Sequence, residues 1–163
     1  SSNILASNVA LSNSGHASFA TSSLAVGVHH ISIAYSGDAS FTPSTSQALT
    51  QVVLATGNAS TTGLTVNGGS SATLNFGFVA GVAQSANFVV TVTGSNDGDS
   101  VVLMQGNVQM GPVLLLSAGQ ASLNTQLGAG VHSIHAVYLG NDTSAGSVSS
   151  DVTVNRSPRP KLQ

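Results

Sequence analysis

The chain of 163 residues lacks cysteine, tryptophan and glutamate, and it has no lysine or arginine before Arg156. Without cysteine there can be no disulfide, no thiolate metal site and no cysteine nucleophile. Residues 1–155 carry a formal charge of −5 from five aspartates, so we expect no binding to a nucleic-acid backbone. No apolar run reaches the length of about 20 residues that a membrane helix needs, so we also expect no membrane insertion.

Small neutral residues take the place of charge in this sequence. It contains 27 Ser, 14 Thr, 12 Asn and 18 Gly beside 41% hydrophobic residues. That apolar share is enough for a buried core. Val, Ile and Thr fit a pleated sheet, whereas the helix formers Glu, Lys, Arg and Met are almost absent. We therefore predict an all-β fold.

An internal repeat emerges when the sequence is shifted against itself by 103 residues. Residues 24–38 then align with residues 127–141, and seven of the fifteen positions are identical. A period of about 100 residues matches one immunoglobulin-like sandwich. We predict tandem immunoglobulin-like β-sandwiches, of which the first is incomplete. The predicted boundaries are 1–55 for the C-terminal half of one sandwich, 56–156 for a complete one, and 157–163 for a basic, proline-containing tail.

Short apolar or alternating segments bounded by Gly, Asn, Asp and Ser predict the strands. In the first unit they are residues 4–11, 16–21, 29–35 and 47–53. In the second unit they are residues 72–78, 85–93, 100–105, 113–116, 120–126, 132–139 and 147–154. Residues 54–62 are predicted to form a neutral linker.

A pattern Gly-x-His-x-Ile-x-x-x-Tyr-x-Gly occurs once in each unit. The residues are Gly27, His29, Ile31, Tyr35, Gly37 and Asp38 in the first unit, and Gly130, His132, Ile134, Tyr138 and Gly140 in the second. With this pattern the chain resembles the bacterial immunoglobulin-like repeats of long secreted and surface proteins. In these repeats an Asp typically follows the last Gly of the pattern, as Asp38 does here, whereas the second unit has Asn141 at that position. The resemblance implies a non-catalytic spacer or adhesive stalk.

The strand period explains this signature without chemistry. On a strand, His29, Ile31, Ile33 and Tyr35 share one face, which is apolar enough to be the core face. His29 and His132 would then lie half-buried at a strand start, each hydrogen-bonded to a nearby loop carbonyl. The two tyrosines would pack inward and fasten a loop with their hydroxyls, as in a tyrosine corner.

Metal and catalytic sites find little support in the residue spacing. His132 and His135 are three apart, which sends them to opposite faces of a strand. Calcium is the better candidate cofactor, because Asn96, Asp97 and Asp99 place oxygen ligands in one loop, although the same residues suit a plain turn. No Gly-x-Ser-x-Gly motif is present to hold a catalytic serine. We predict no enzymatic activity and no cofactor other than this calcium candidate.

The half unit at the front leaves two explanations open. Either its missing strands belong to a longer array from which this chain was cut, or another chain supplies them by β-strand addition, head to tail. We predict a structural segment of a secreted or cell-surface bacterial protein, a spacer, stalk or fibre subunit whose partners are neighbouring repeats or identical chains. The alternative is an adhesin or carbohydrate-binding module that uses the loops at 96–99 and 140–144 to bind surface glycans. The basic segment 156–163 is predicted to be a solvated terminus, or else to dock on an acidic neighbour or an anionic wall.

Overall fold

The structure, a computed structural model, describes residues 3–75 and 84–158. These residues contain thirteen β-strands and no helix. The all-β prediction is therefore confirmed, in keeping with a sequence rich in β-branched residues and poor in helix formers. The strands fall into two groups that correspond to the two repeats.

The first unit (residues 3–53) contains one long, interrupted hairpin. Its strands are β1 (Gly27–Ile31), β2 (Ala34–Tyr35), β3 (Ser44–Thr45) and β4 (Leu49–Val53). β1 pairs antiparallel with β4, and β2 pairs antiparallel with β3. Residues 36–43 form the loop at the tip of this hairpin.

The described residues of the second unit (residues 61–75 and 84–156) contain nine strands. They are β5 (Thr61–Val66), β6 (Ser71–Leu74), β7 (Ala86–Thr93), β8 (Ser100–Gln105), β9 (Val108–Leu115), β10 (Gln120–Thr125), β11 (Gly130–Tyr138), β12 (Ser147–Val148) and β13 (Val152–Arg156). One sheet has the order β10-β7-β5, and the other has the order β6-β13-β11-β8-β9 with β12 paired to β11. Within them only β6 and β13 run parallel. Two such sheets packed over one core are the arrangement of an immunoglobulin-like sandwich.

The core of the second unit lies between these two sheets. Along β7, Phe88, Val90 and Val92 are buried, while Asn87 and Thr91 are exposed, as the strand period requires. The inner faces of the other strands supply the rest of the core, namely Val66, Leu74, Val101, Leu103, Ile134, Ala136, Tyr138, Val152 and Val154. Burying one large aliphatic side chain of this kind stabilises the fold by about 1.5–3 kcal/mol.

The hairpin of the first unit repeats the end of the second unit in register. Gly27 lies opposite Val53 in the first unit, and Gly130 lies opposite Arg156 in the second. Each of these residues is 103 positions from its counterpart. The sequence repeat is therefore also a repeat of backbone pairing.

Two predicted strands of the first unit are wrong. Residues 4–11 and 16–21 contain no strand, and their side chains are exposed, Ile4 at 77% and Phe19 at 54%. The counterparts of these segments in the second unit are β9 and β10, which pair with β8 and β7. The first unit has no counterpart of β7 or β8 among its residues, and a strand without a partner has no ladder hydrogen bonds to stabilise it.

The predicted core face of the first unit is wrong at one of its four positions. Ile33 is 72% exposed, whereas its counterpart Ala136 is fully buried. His29, Ile31 and Tyr35 are only half-buried. The physical reason is the same, because among the described residues no second sheet covers this side of the hairpin.

Several predicted strand limits also differ. The segment 29–35 is interrupted, so β2 is separate from β1, and the strand predicted at 47–53 begins at Leu49, after the separate β3. The predicted linker 54–62 already includes the start of β5 at Thr61, and β9 begins at Val108 rather than at residue 113. The strand predicted at 72–78 ends at Leu74, and residues 76–78 lie outside the described residues.

A second, smaller core joins the two units. It consists of an outer-face patch on the second unit (Val102, Met104, Val137 and Leu139) and of three residues at the end of the first unit (Val28, Val52 and Leu54). The patch residues are all less than 10% exposed. The first hairpin therefore packs its outer face on the second unit and leaves its inner face open.

Candidate functional site

The candidate site is the end of the second unit where the loop after β11 meets the loop before β8. Tyr138, the last residue of β11, is fully buried. Its hydroxyl donates a hydrogen bond of 2.6 Å to Oδ2 of Asp99. The same oxygen accepts hydrogen bonds from Nδ2 of Asn141 at 2.7 Å and from the backbone N–H of Asn96 at 2.8 Å. The carboxylate of Asp99 thus joins its own loop to the end of β11 and the loop that follows β11.

Asn141 also holds the loop after β11, through its side-chain oxygen. Its Oδ1 accepts hydrogen bonds from the backbone N–H groups of Thr143 at 2.8 Å and of Ser144 at 2.7 Å. This is the local side-chain to backbone bonding by which Asn and Asp form turns. Ser144 in turn donates its hydroxyl to the carbonyl of Gly94 at 2.6 Å, which connects this loop to the end of β7.

The first unit has the same turn with a different partner for the tyrosine. Oδ1 of Asp38 accepts the N–H groups of Ser40 at 2.7 Å and Phe41 at 2.9 Å, as Asn141 does in the second unit. Its other oxygen accepts the hydroxyl of Tyr35 at 2.7 Å. In the first unit, one aspartate thus performs the two tasks that Asn141 and Asp99 share in the second.

These contacts shift the pKa values of the paired groups in opposite directions. Burial and the hydrogen bond to Asp99 raise the pKa of Tyr138 to about 12. Burial works to raise the pKa of Asp99, but the hydrogen bonds from Tyr138, Asn96 and Asn141 together lower it below its ordinary value. In the first unit, the hydrogen bond between Tyr35 and Asp38 raises the pKa of the tyrosine and lowers that of the aspartate. In each unit the network therefore favours a neutral phenol beside an ionised carboxylate.

Both signature histidines contact the loop before their strand. Nε2 of His29 donates to the carbonyl of Ala25 at 2.8 Å, and Nε2 of His132 donates to the carbonyl of Gly128 at 3.0 Å. A carbonyl can only accept, so Nε2 carries the hydrogen in both rings. The histidines thus fasten the start of the long hairpin, while the tyrosines fasten its tip.

The signature glycines at the tip make close backbone contacts. Gly37 has φ +81°, and a Cβ there would lie 2.8 Å from the carbonyl oxygen of Phe41. Gly140 has φ +82°, and a Cβ there would lie 2.7 Å from the Cβ of Ala55. Any other residue at either position would be strained by its φ angle and by this contact. At Gly140 the contact is with the segment that connects the two units.

That connecting segment, residues 54–58, is not a free linker. It runs beside the loop 139–146 of the second unit. We call this paired region, together with the apolar contact of Val28, Val52 and Leu54 on the outer-face patch, the joint. Ala55 donates its N–H to Leu139 at 2.8 Å and accepts from Gly146 at 2.9 Å. Asn58 donates to Thr143 and accepts from Ala145, both at 2.8 Å. Four backbone hydrogen bonds therefore hold the end of the first unit against the second.

Family comparison agrees with the two repeats. Bacterial Ig-like domains of group 3 match residues 1–54 and 70–155. The chain belongs to this family. No curated protein matches it. Bacterial Ig-like domains are generally non-enzymatic, and they typically occur in surface or secreted proteins. No helix of residues 3–75 and 84–158 is long and apolar enough to cross a membrane.

The calcium candidate of this Ig-like unit has its acidic oxygens in use. Oδ1 of Asp97 accepts the N–H of Ala118 at 2.6 Å, while Asp99 faces Tyr138 and Asn141. Across the described part of the chain, no three His or Asp side chains are grouped so that they could hold a metal ion. Calcium binding at Asn96, Asp97 and Asp99 stays a prediction, and these contacts do not favour it.

Arg156 corrects the prediction of a solvated basic terminus. It is the last residue of β13 and only 7% exposed, and its Nη1 donates to the carbonyl of Leu127. Arg156 therefore belongs to the Ig-like sandwich. Residues 159–163 of the basic segment lie outside the described residues.

One structural pair was missed by reasoning from sequence. Oγ of Ser46 accepts the N–H of Ile33 at 3.0 Å, and Oγ of Ser149 accepts the N–H of Ala136 at 2.9 Å. Each serine lies where the strand pairing of its hairpin is interrupted. Its hydroxyl oxygen accepts the N–H group that a backbone carbonyl would otherwise accept. The 103-residue offset relates the two serines, so the repeat was the signal that could have found them. Among 27 serines, their identity alone was not informative.

Proposed function

We propose that this chain is a non-catalytic structural segment of a secreted or cell-surface bacterial protein, where it acts as a spacer, stalk or fibre subunit. The observation that carries the proposal is the joint, in which two repeats with the same register are held together by backbone hydrogen bonds. A segment that transmits position or force along an array needs such connections. Membership of the Ig-like family supports this role.

The use of the ionisable groups supports a role without catalysis. Four aspartates accept hydrogen bonds that hold loops or strands, and these are Asp38, Asp97, Asp99 and Asp151. The loops at 96–99 and 140–144, the candidates for glycan binding, are hydrogen-bonded to each other, and the second loop also accepts a hydrogen bond from the N–H of Asn58. These contacts favour the stalk over the lectin.

The open inner face of the first hairpin supports strand addition from outside these residues. Leu49 is 56% exposed there, whereas its counterpart Val152 is 1% exposed beneath the opposite sheet. We propose that a strand with the chemistry of β7 covers this face from an opposite sheet, and that a strand with the chemistry of β8 pairs with the edge of the hairpin, as these two strands do in the second unit. A second folded copy has none to spare, because its β7 and β8 are already paired on both sides. A neighbouring Ig-like segment of the same array is therefore the source we propose.

A fusion that restores the repeat period tests this proposal. Residues 56–103 of the chain are placed directly before Ser1, which supplies the first unit with copies of β5, β6, β7 and the first four residues of β8 in the 103-residue register. We expect the amide groups of β1 and β4 to become protected from hydrogen exchange. The matched control carries Phe88→Asp and Val90→Asp in the added segment only, which removes its core face, and should give no protection. Equal exchange in both fusions would contradict the proposal, as would concentration-dependent dimers of the original chain with protected β1 and β4 amides.

A further inference from the structure

The repeat allows every residue of the joint to be compared with its counterpart on the other unit. On the second unit, the joint uses the outer-face patch, in particular Val137 and Leu139, and the N–H of Gly146. On the first unit, it uses Val52 and Leu54 and the N–H of Ala55. A joint that served every pair of neighbours would need the same chemistry at each counterpart.

The first unit cannot receive a preceding unit through this joint. Its counterparts of Val137 and Leu139 are Ala34 and Ser36, which offer little apolar surface. Its counterpart of Gly146 is Pro43, which has no N–H to donate. A Cβ at Gly146 would lie 2.8 Å from the Cβ of Leu54, so a proline ring there would also collide with the incoming segment.

The second unit cannot dock on a following unit through this joint either. Its counterparts of Val52 and Leu54 are Asn155 and Ser157, which are polar. Its counterpart of Ala55 is Pro158, which lacks the N–H that Ala55 donates to Leu139. Both the apolar contact and the backbone bond are therefore lost at this end.

We propose that the second unit carries a one-directional docking surface for the hairpin end of the unit that precedes it, and that these two units form one stiff pair. The partner it fits is an Ig-like hairpin with apolar residues at the positions of Val28, Val52 and Leu54, followed by a small residue with a free N–H. Neighbours beyond the pair are connected without this joint and bend at their connections. The inference rests on the proposed stalk function and refines it into stiff pairs separated by flexible connections.

Distance measurements in the full chain test the stiffness of the pair. Because the chain has no cysteine, Gln51→Cys and Ser122→Cys place one spin label on β4 and one on β10, both at exposed positions. We expect pulsed electron double resonance to give a single narrow distance peak. Gly57→Ala should abolish that peak in favour of a broad distribution, because its Cβ would lie 2.6 Å from the carbonyl oxygen of Thr143. Gly128→Ala is the matched control, since nothing lies within 4 Å of its Cβ, and it should leave the peak unchanged.

A transplanted end tests the direction of the joint. The variant Val52→Asn/Leu54→Ser/Ala55→Pro gives the first unit the residues that the second unit carries at the same positions. We expect it to lose the narrow peak as Gly57→Ala does, while slow amide exchange in β8 and β11 shows that the second unit is still folded. A narrow peak in this variant would overturn the directionality, and a narrow peak in Gly57→Ala would overturn the stiff joint. Neither result touches the strand addition, whose readout is the protection of β1 and β4 in the fusion.

Discussion

The two tyrosine loops have the same backbone turn but place their negative charge differently. In the first unit, Asp38 both closes the turn and accepts the hydroxyl of Tyr35. In the second unit, Asn141 closes the turn, and the charge comes from Asp99, which lies 42 positions earlier in the chain. A carboxylate at position 141 would lie beside that of Asp99. The residue type that fits a repeat position therefore depends on the strand packed against that position, and not only on the turn to which the position belongs.

The same contrast separates the inner faces of the two hairpins. Ile134 is fully buried below the opposite sheet, whereas its counterpart Ile31 is half-buried on an open face. We expect Ile134→Ala to lower the free energy of unfolding of the second unit by about 3 kcal/mol. Ile31→Ala should cost less than about 1 kcal/mol, because it removes less buried surface. Urea unfolding followed by amide exchange measures both, and equal losses would contradict the assignment of the open face.

The alkaline pH dependence of the free energy of unfolding should distinguish the two tyrosines. The folded pKa of Tyr138 is raised to about 12, above its unfolded value, so the stabilisation is fully present below about pH 10 and is lost as the pH rises towards 12. We expect a loss of about 2 kcal/mol across this interval, from the shift in pKa. Tyr138→Phe should remove this pH dependence, and Tyr35→Phe should retain it. The idea fails if Tyr138→Phe unfolds with the same alkaline profile as the original chain.

Asn141→Asp tests whether the second loop needs an amide beside Asp99. We expect this variant to lose about 1–2 kcal/mol at neutral pH, because two carboxylates would then share one site and one loses its donor. Asp99→Asn in the same chain should restore much of the loss, since it leaves a single carboxylate as in the first unit. Thermal unfolding of the two single variants and the double variant gives the coupling energy. Additive losses would show that the two positions do not interact.

Acid should have the smallest effect, and its size should differ between the two units. The folded pKa of Asp99 is lowered, so its contribution is present above the unfolded value and is lost as the pH falls through the folded one. We expect Asp99→Asn to flatten this acid limb of the stability curve. The pKa of Asp38 is also lowered, but Asp38 lies at the exposed tip of the first hairpin, so Asp38→Asn should flatten the acid limb less. A change of the acid limb in Asp38→Asn alone would contradict this difference.

Local patterns were sufficient for the parts of the site that lie within one hairpin. The strand period predicts that His29 and Tyr35 share one face. The 103-residue repeat predicts the same for His132 and Tyr138. Each histidine donates to a loop carbonyl four positions before it in the same hairpin. Contacts between distant segments were not predictable in the same way. The pairing of Tyr138 with Asp99 and the burial of Arg156 depend on strands that meet only when the sandwich closes.

Sequence alone determined the all-β class, the 103-residue period and the family, because strand propensity, alternation and identity at repeated positions are local properties. Tertiary structure alone decided which of the repeated segments are strands. Residues 4–11 are the counterpart of β9 in the repeat but lack its partner, and hydrogen bonds between strands require one. It also decided that residues 54–58 form a joint rather than a flexible linker. Their composition is that of a linker, and the bonds that hold them come from residues more than 80 positions away.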